Sequence, residues 1–344
     1  MERYVWFPGL NIGKINIASG IELFGKFELH FYSLIIAFGM TLAVLYAFWR
    51  FKQNKIKVDT VLDYAVWILP FSIVGARLYY VIFDMIDRPE NYFGMGLGKL
   101  LYNIVAVWNG GLAIYGGVIA GGLVIFAVSQ IKKMNTMKIL DIAVPAVLFA
   151  QVLGRWGNFF NIEAYGEVTD LPWRMVSDKI IHELYNHENP ALKIDAATKA
   201  LMEAGELGVH PTFLYESLWN LVGVLLMIGT LIVATLILKV NKEKHINGFF
   251  FAFYMMWYGF GRMFIETLRT DSLWLIPGSV RISVLVAVVT FVAGLLLMGF
   301  LVTKFVIKQK TGVDIWEKFK AKVRKNKTAE AKQNSQEVEN GTNN

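Results

Sequence analysis

Ile282–Thr303 reads ISVLVAVVTFVAGLLLMGFLVT, a run without a charged side chain. Coiled as a helix rising about 1.5 Å per residue, such a run matches the roughly 30 Å hydrocarbon layer of a bilayer. Working outward, further apolar segments fall at about residues 30–49, 61–83, 104–129, 139–160, 213–238 and 248–266. Length and apolarity together predict an all-α polytopic membrane protein with seven transmembrane helices. Composition agrees, with 55% hydrophobic and 18% charged residues against about 45–50% and about 25% in soluble domains.

Orientation follows from the basic residues. Arg50, Lys52, Lys55 and Lys57 follow the first segment, Lys132, Lys133 and Lys138 the third, Lys239, Lys242 and Lys244 the fifth, and Lys304, Lys308 and Lys310 the last. All lie on one side of a seven-span topology, so the positive-inside rule puts the N-terminus outside and the C-terminus in the cytoplasm. Topology therefore accounts for the formal charge of +7 without a nucleic-acid partner. The domain reading has three parts: residues 1–29 as an extracytoplasmic or interfacial segment, 30–303 as the seven-helix membrane domain, and 304–344 as a basic tail. Within the second part, 164–210 forms a small extracytoplasmic head. No cleavable signal is evident in MERYVWFPGL. Ile315, Trp316, Phe319 and Val323 among lysines suit an amphipathic helix on an anionic leaflet, or equally a solvated tail, and the polar end is expected to be disordered. No internal repeat supports a two-halves transporter.

The chain has no cysteine, which excludes disulfides, Cys-ligated metals and a protein-borne thiol nucleophile. The histidines make no metal-ligand pattern. His182 and His187 are five apart and do not share a helix face, so no metal or cofactor is expected. Asp84 and Asp87 fit a solvated turn better than a magnesium site.

Charged groups inside spans are costly and carry the functional reading. They are Arg77 in GARLYYVIFD, Arg155 in GRWGNFFNIEAYG, and Arg262 with Glu266 in YGFGRMFIETLR. Arginine's planar fork suits a phosphate held by parallel hydrogen bonds, so Arg155 and Arg262 can clamp an anionic lipid headgroup; snorkelling or a structural ion pair is the competing reading. Asn158, Asn161 and Glu163 crowd the same segment between Gly154, Gly157 and Gly166 and can bind ligand or cap the helix. Span three carries NGGLAIYGGVIAGG, whose glycine pairs at 110/111, 116/117 and 121/122 fit close helix packing, and within which Tyr115 needs a polar partner. His210 opens HPTFLYE, with Tyr215 and Glu216, and His30 and Tyr32 open the first span.

In order, HFYSLIIAFG, GARLYYVIF, WNGGLAIYGG, GRWGNFFNIEAYG, HPTFLYE and YGFGRMFIETLR resemble the bacterial prolipoprotein diacylglyceryl transferase family over essentially the whole membrane domain. The fourth block matches the family signature at every fixed position. The resemblance implies a cell-membrane enzyme with an outward-facing site. It implies transfer of diacylglyceryl from phosphatidylglycerol to the lipobox cysteine thiol of a preprolipoprotein, forming a thioether and releasing glycerol 1-phosphate. The acceptor then supplies the missing sulfur.

It further implies that Arg155 binds phosphatidylglycerol, that Arg262 is the second essential arginine, and that Asn158, Glu163, Gly166 and Tyr32 match activity-linked positions. Many members have histidine where this chain has Tyr115, a poor base with an unperturbed pKa of about 10. Glu266, His210 and water remain as proton acceptors, and His210 and Gly166 join the expected lipid-binding set. The alternatives are another phospholipid-directed transferase or hydrolase and a headgroup-gripping transporter; a serine–histidine pair is not apparent.

Overall fold

The computed structural model describes residues 3–23, 27–94, 96–233, 246–270, 274–276 and 280–312. Among the described residues, six helices are long and apolar enough to cross a membrane: α1 (Phe31–Gln53), α2 (Asp59–Asp87), α4 (Ile114–Ile131), α5 (Thr136–Asn161), α8 (Thr212–Ile232) and α10 (Ile282–Thr311). The expected sixth span is α9 (Phe249–Ile265), whose 17 residues run on into a 3-10 turn over Glu266–Leu268. Three short helices complete the set: α3 (Leu97–Val105), α6 (Asp178–Tyr185) and α7 (Ala196–Glu203).

The helices pair as α1 with α5, α2 with α4, α5 with α8, and α9 with α10. Their outward faces are apolar: Val66 is 63% exposed and Leu296 70%. Apolar surface of this extent is tolerable only where lipid replaces water. Lipid gives helices no hydrophobic reason to associate, so contact must come from close packing. At Gly116 a Cβ would lie 2.2 Å from the carbonyl oxygen of Gly75, so α2 and α4 meet backbone to backbone. Asp141, in α5, accepts from the backbone N–H groups of Gly248 at 2.6 Å and Phe251 at 2.9 Å. This carboxylate caps the start of α9 from a neighbouring helix, satisfying donors that lipid would leave unpaired.

The third span differs from the expectation of a helix starting near residue 104. Helix α4 begins only at Ile114; Leu97–Val105 is a separate helix, and Val107–Asn109 a 3-10 turn. Gly110 and Gly111 therefore make a turn rather than a packing stripe, with φ of 84° and 70°, values open to glycine at little cost. Arg77 organises that turn. Its guanidinium donates to the carbonyls of Asn103 (2.6 Å), Ile104 (2.9 Å), Gly110 (2.7 Å) and Gly111 (3.0 Å). This buried arginine is a backbone clip. Hydrogen bonds to a charged donor contribute about 1.5 to 3 kcal/mol each, so Arg77→Ala is expected to lower the thermal unfolding midpoint in detergent markedly. Arg77→Lys should recover only part, because an ammonium cannot span four carbonyls; a midpoint unchanged by either variant would contradict the clip.

The head is not purely helical. Strand β1 (Tyr4–Phe7) lies between β2 (Ile12–Asn16) and β6 (Val176–Ser177), which ties the N-terminal segment to the 164–210 region. β3 (Gly20–Leu23) pairs with β4 (Phe27–His30), β5 (Val168–Thr169) with β7 (Gly208–Val209), and β8 (Trp274–Ile276) with β9 (Val280–Arg281). Val5, Ile162, Val176, Ile180, Met202 and Val209 share one buried core. The head and strands β1 and β2 thus form one body at the end of the bundle where α5 finishes and α8 begins. Lys304, Lys308 and Lys310 belong to the last helix. The amphipathic helix expected at 315–323 and the polar end lie outside the described residues.

Candidate active site

Three helix termini converge beneath the head. α5 ends at Asn161, and the chain then turns through Ile162 and Ala164, both left-handed with φ of 52° and 54°. Such a conformation costs a non-glycine residue roughly 1–2 kcal/mol. It is held because Ile162 is buried in the head core and Lys179 Nζ donates to the carbonyls of Asn161 (2.9 Å) and Ile162 (3.2 Å). The turn sends residues 165–167 alongside the segment that follows α9. Glu167 N–H donates to Leu268 O at 2.9 Å, Gly166 bridges to Arg269, and Gly166 N–H donates to His210 O at 2.9 Å. A Cβ at Gly166 would lie 2.7 Å from His210 Cβ and 2.8 Å from Leu268 O, so only glycine lets these three segments meet.

Their meeting assembles an ionic cluster. Glu216, on the first turns of α8 and 2% exposed, is the hub. Its carboxylate pairs with Arg155 at 2.7 Å, Arg262 at 2.5 Å and Arg269 at 3.4 Å. Arg262 also pairs with the buried carboxylate of Glu266, one turn further along. Arg281 secures the backbone beside it, donating to the carbonyls of Glu266 (2.6 Å), Thr267 (2.9 Å) and Arg269 (3.2 Å). At this hub guanidiniums outnumber carboxylates. The arginines are less enclosed than the acids, with side-chain exposures of 20% for Arg155 and 13% for Arg262. An anion is the species such a cluster is set to receive.

From Arg155 the network runs outward. Its guanidinium donates to Asn158 Oδ1 at 3.3 Å, Asn158 Nδ2 to Glu163 at 2.9 Å, and Asn161 Nδ2 to Glu163 at 3.3 Å. Tyr32 closes one side, its ring packed where a Cβ on Gly157 would come within 2.6 Å of it, and within electrostatic reach of Arg155 and Glu163. Tyr115 closes another, in the first turn of α4 beside Tyr79 and within electrostatic reach of Arg262. His210 stands on the head side. Its Nδ1 meets the Tyr215 hydroxyl at 3.2 Å, and that hydroxyl accepts from Trp173 Nε1 at 2.6 Å. Burial lowers the His210 pKa below the usual histidine value, so its imidazole is neutral at pH 7.

Arg155, Asn158, Glu163, Arg262 and Glu266 are therefore one hydrogen-bonded and ionic assembly through Glu216. Tyr32 and Tyr115 flank it, and Gly166 and His210 hold its head side. Charge within apolar spans did not single out Glu216 or Arg269. For Glu216 the signal was present, since a glutamate inside an apolar segment demands a partner; Arg269 lies beyond a helix end, where an arginine is ordinary. Asp84 is used locally, accepting from Tyr92 at 2.8 Å and pairing with Arg88 at 3.3 Å.

Known proteins share this chain's sequence over most of its length. The sequence profile described as prolipoprotein diacylglyceryl transferase matches residues 19–300. Among curated proteins, the phosphatidylglycerol–prolipoprotein diacylglyceryl transferase of Limosilactobacillus reuteri (strain DSM 20016) is 37% identical over 280 residues, 80% of this chain and 87% of that one. The transferase of the same name from Streptococcus pneumoniae (strain JJA) is 40% identical over 278 residues, 80% of this chain and 90% of its own length.

Proposed function

Because the chain belongs to the prolipoprotein diacylglyceryl transferase family, we propose that the buried arginine cluster is where this enzyme moves the diacylglyceryl group of phosphatidylglycerol onto a prolipoprotein. The observation that carries the reading is the sharing of one buried carboxylate, Glu216, by Arg155, Arg262 and Arg269, which orients guanidinium edges and leaves positive charge in excess around it.

In the proposed reaction the lipobox cysteine thiolate attacks the diacylglycerol carbon that bears the phosphate. The S–C bond forms as the C–O bond breaks, and glycerol 1-phosphate departs. The phosphodiester arrives with one negative charge and leaves as a monoester with nearly two, so the transition state gains charge at oxygens that Arg155 and Arg262 face. Donors already oriented in a site of low dielectric stabilise such charge at little reorganisation cost. Asn158 and Tyr32 orient the headgroup, and Tyr115 hydrogen-bonds the substrate or leaving group. The thiol, of ordinary pKa about 8.5, must lose its proton. Glu266 suits that task poorly, since its carboxylate is already engaged by Arg262; neutral His210 and interfacial water are the better acceptors.

The chain is a multi-pass membrane protein, and its proposed setting is the bacterial cell membrane. Seven crossings with an outer N-terminus follow if α9 spans together with its 3-10 turn, a length of about 31 Å at ordinary rises. The basic connections then lie in the cytoplasm and the arginine cluster toward the outside. The test is transfer from radiolabelled phosphatidylglycerol to a synthetic lipobox peptide by the purified chain in detergent. A thioether-linked product that disappears with a Cys-to-Ser peptide is expected. Hydrolysed lipid with no labelled peptide would move the enzyme to another phospholipid chemistry.

A further inference from the structure

We infer that the cleft between the turn after α5 and helix α6 is the docking site for the acceptor polypeptide beside its reactive cysteine, an inference that rests on the transfer reaction proposed above. The cleft has a volume of about 300 Å³ and is lined by Glu163, Tyr165, Lys179, Glu183, Leu192 and Thr270, among others. That volume is at the small end of ligand pockets, which run from about 300 to 1,000 Å³. It suits a short stretch of polypeptide and not a diacyl lipid.

Two features connect the cleft to the arginine cluster. Glu163 belongs to both: it lines the cleft and accepts from Asn158 at 2.9 Å, while Asn158 accepts from Arg155 at 3.3 Å. Thr270, on the opposite wall, follows Arg269 and donates to Tyr165 O at 3.2 Å. A chain lying here has one end at the clamp.

Charge separates the two substrates. Glu163 and Glu183 against Lys179 leave the cleft one negative charge in excess, whereas at the Glu216 hub guanidiniums outnumber carboxylates. Glu183 accepts from the Tyr165 hydroxyl at 3.0 Å and pairs with Lys179 at 3.5 Å, and a carboxylate retains lone pairs for further donors. Polypeptide N–H groups are such donors; a phosphate is repelled. The lipid headgroup is thus directed to the arginines and the peptide to the cleft, with the sulfur brought to the boundary between them.

The test uses the full chain in phosphatidylglycerol–detergent micelles with a lipobox peptide as acceptor. Glu183→Gln removes the charge while keeping the shape, and Leu192→Trp fills the cleft. Each is expected to raise the peptide KM by about tenfold, a factor equal to about 1.4 kcal/mol, while the KM for phosphatidylglycerol stays unchanged. A photoreactive group next to the peptide's cysteine should crosslink wild-type chain within residues 162–192. An unchanged peptide KM with crosslinks elsewhere, or an equal rise in both KM values, overturns the docking site. Absence of thioether from the wild-type chain overturns the reaction reading itself, and the docking role with it.

Discussion

Arg155→Ala is expected to reduce thioether formation by about a thousandfold while the protein still inserts and folds. Removing one oriented donor from a charge-stabilising site commonly lowers turnover by about 10²–10³, and here the loss falls at the upper end because Arg155 does two things. In the proposed site it meets the headgroup with a side chain 20% exposed, and it carries Asn158 and, through it, Glu163 in register. Arg155→Lys should rescue little. A lysine ammonium is a point charge on a flexible stem and cannot pair with Glu216 and Asn158 while presenting an edge to a phosphate. Folding should survive, since Glu216 keeps Arg262 and Arg269 as partners. Initial rates with labelled phosphatidylglycerol, together with a detergent melting curve, check both halves. Full activity in either variant would remove Arg155 from the mechanism.

Arg155 is legible in the sequence as a candidate, because an arginine ending an apolar run beside two asparagines and a glutamate needs a reason, although snorkelling, an ion pair or helix capping could each supply one. The membrane helices are legible for a similar reason: uninterrupted apolar length is a strong signal. Residues 104–113 show where it fails. Ile104, Val105, Ala106, Val107 and Trp108 are apolar enough to extend the third span, yet Arg77 draws the carbonyls around them into a turn. No periodicity in the segment itself reveals a partner 26 to 34 positions away. The head is opaque for a different reason. Its strands are two to five residues long and bring Tyr4–Phe7 against Val176–Ser177, a pairing made by tertiary packing and not by local alternation. Glu216 lies between these cases. Its presence in an apolar segment is visible, but its three partners come from α5, α9 and the segment after α9, and only tertiary packing of these elements on α8 brings them together.

Glu216→Gln is the complementary experiment, with the next largest expected effect and a distinct kinetic form. The carboxylate is 2% exposed; what it supplies is the anion around which three guanidiniums can sit close together. Without it they repel one another in a medium where charge is poorly screened, and the arginines shift. A misplacement of about 1 Å at a reacting centre can cost about a hundredfold in rate, so kcat should fall by about that factor. Affinity for phosphatidylglycerol should not fall with it, because the cluster now holds one negative charge fewer. An unchanged or lowered lipid KM with a collapsed kcat would mark loss of transition-state alignment rather than of ground-state binding. Breaking a buried ion pair from one side typically costs about 3 to 5 kcal/mol, so the melting midpoint should drop as well. The double variant Glu216→Gln with Arg269→Gln then tests the cause. If charge imbalance destabilises the single variant, removing one guanidinium should recover part of the lost midpoint, giving a coupling well outside the additivity expected of independent sites. Strictly additive losses would show that Glu216 stabilises through shape alone, and the balance of charge would no longer explain why three arginines converge on it.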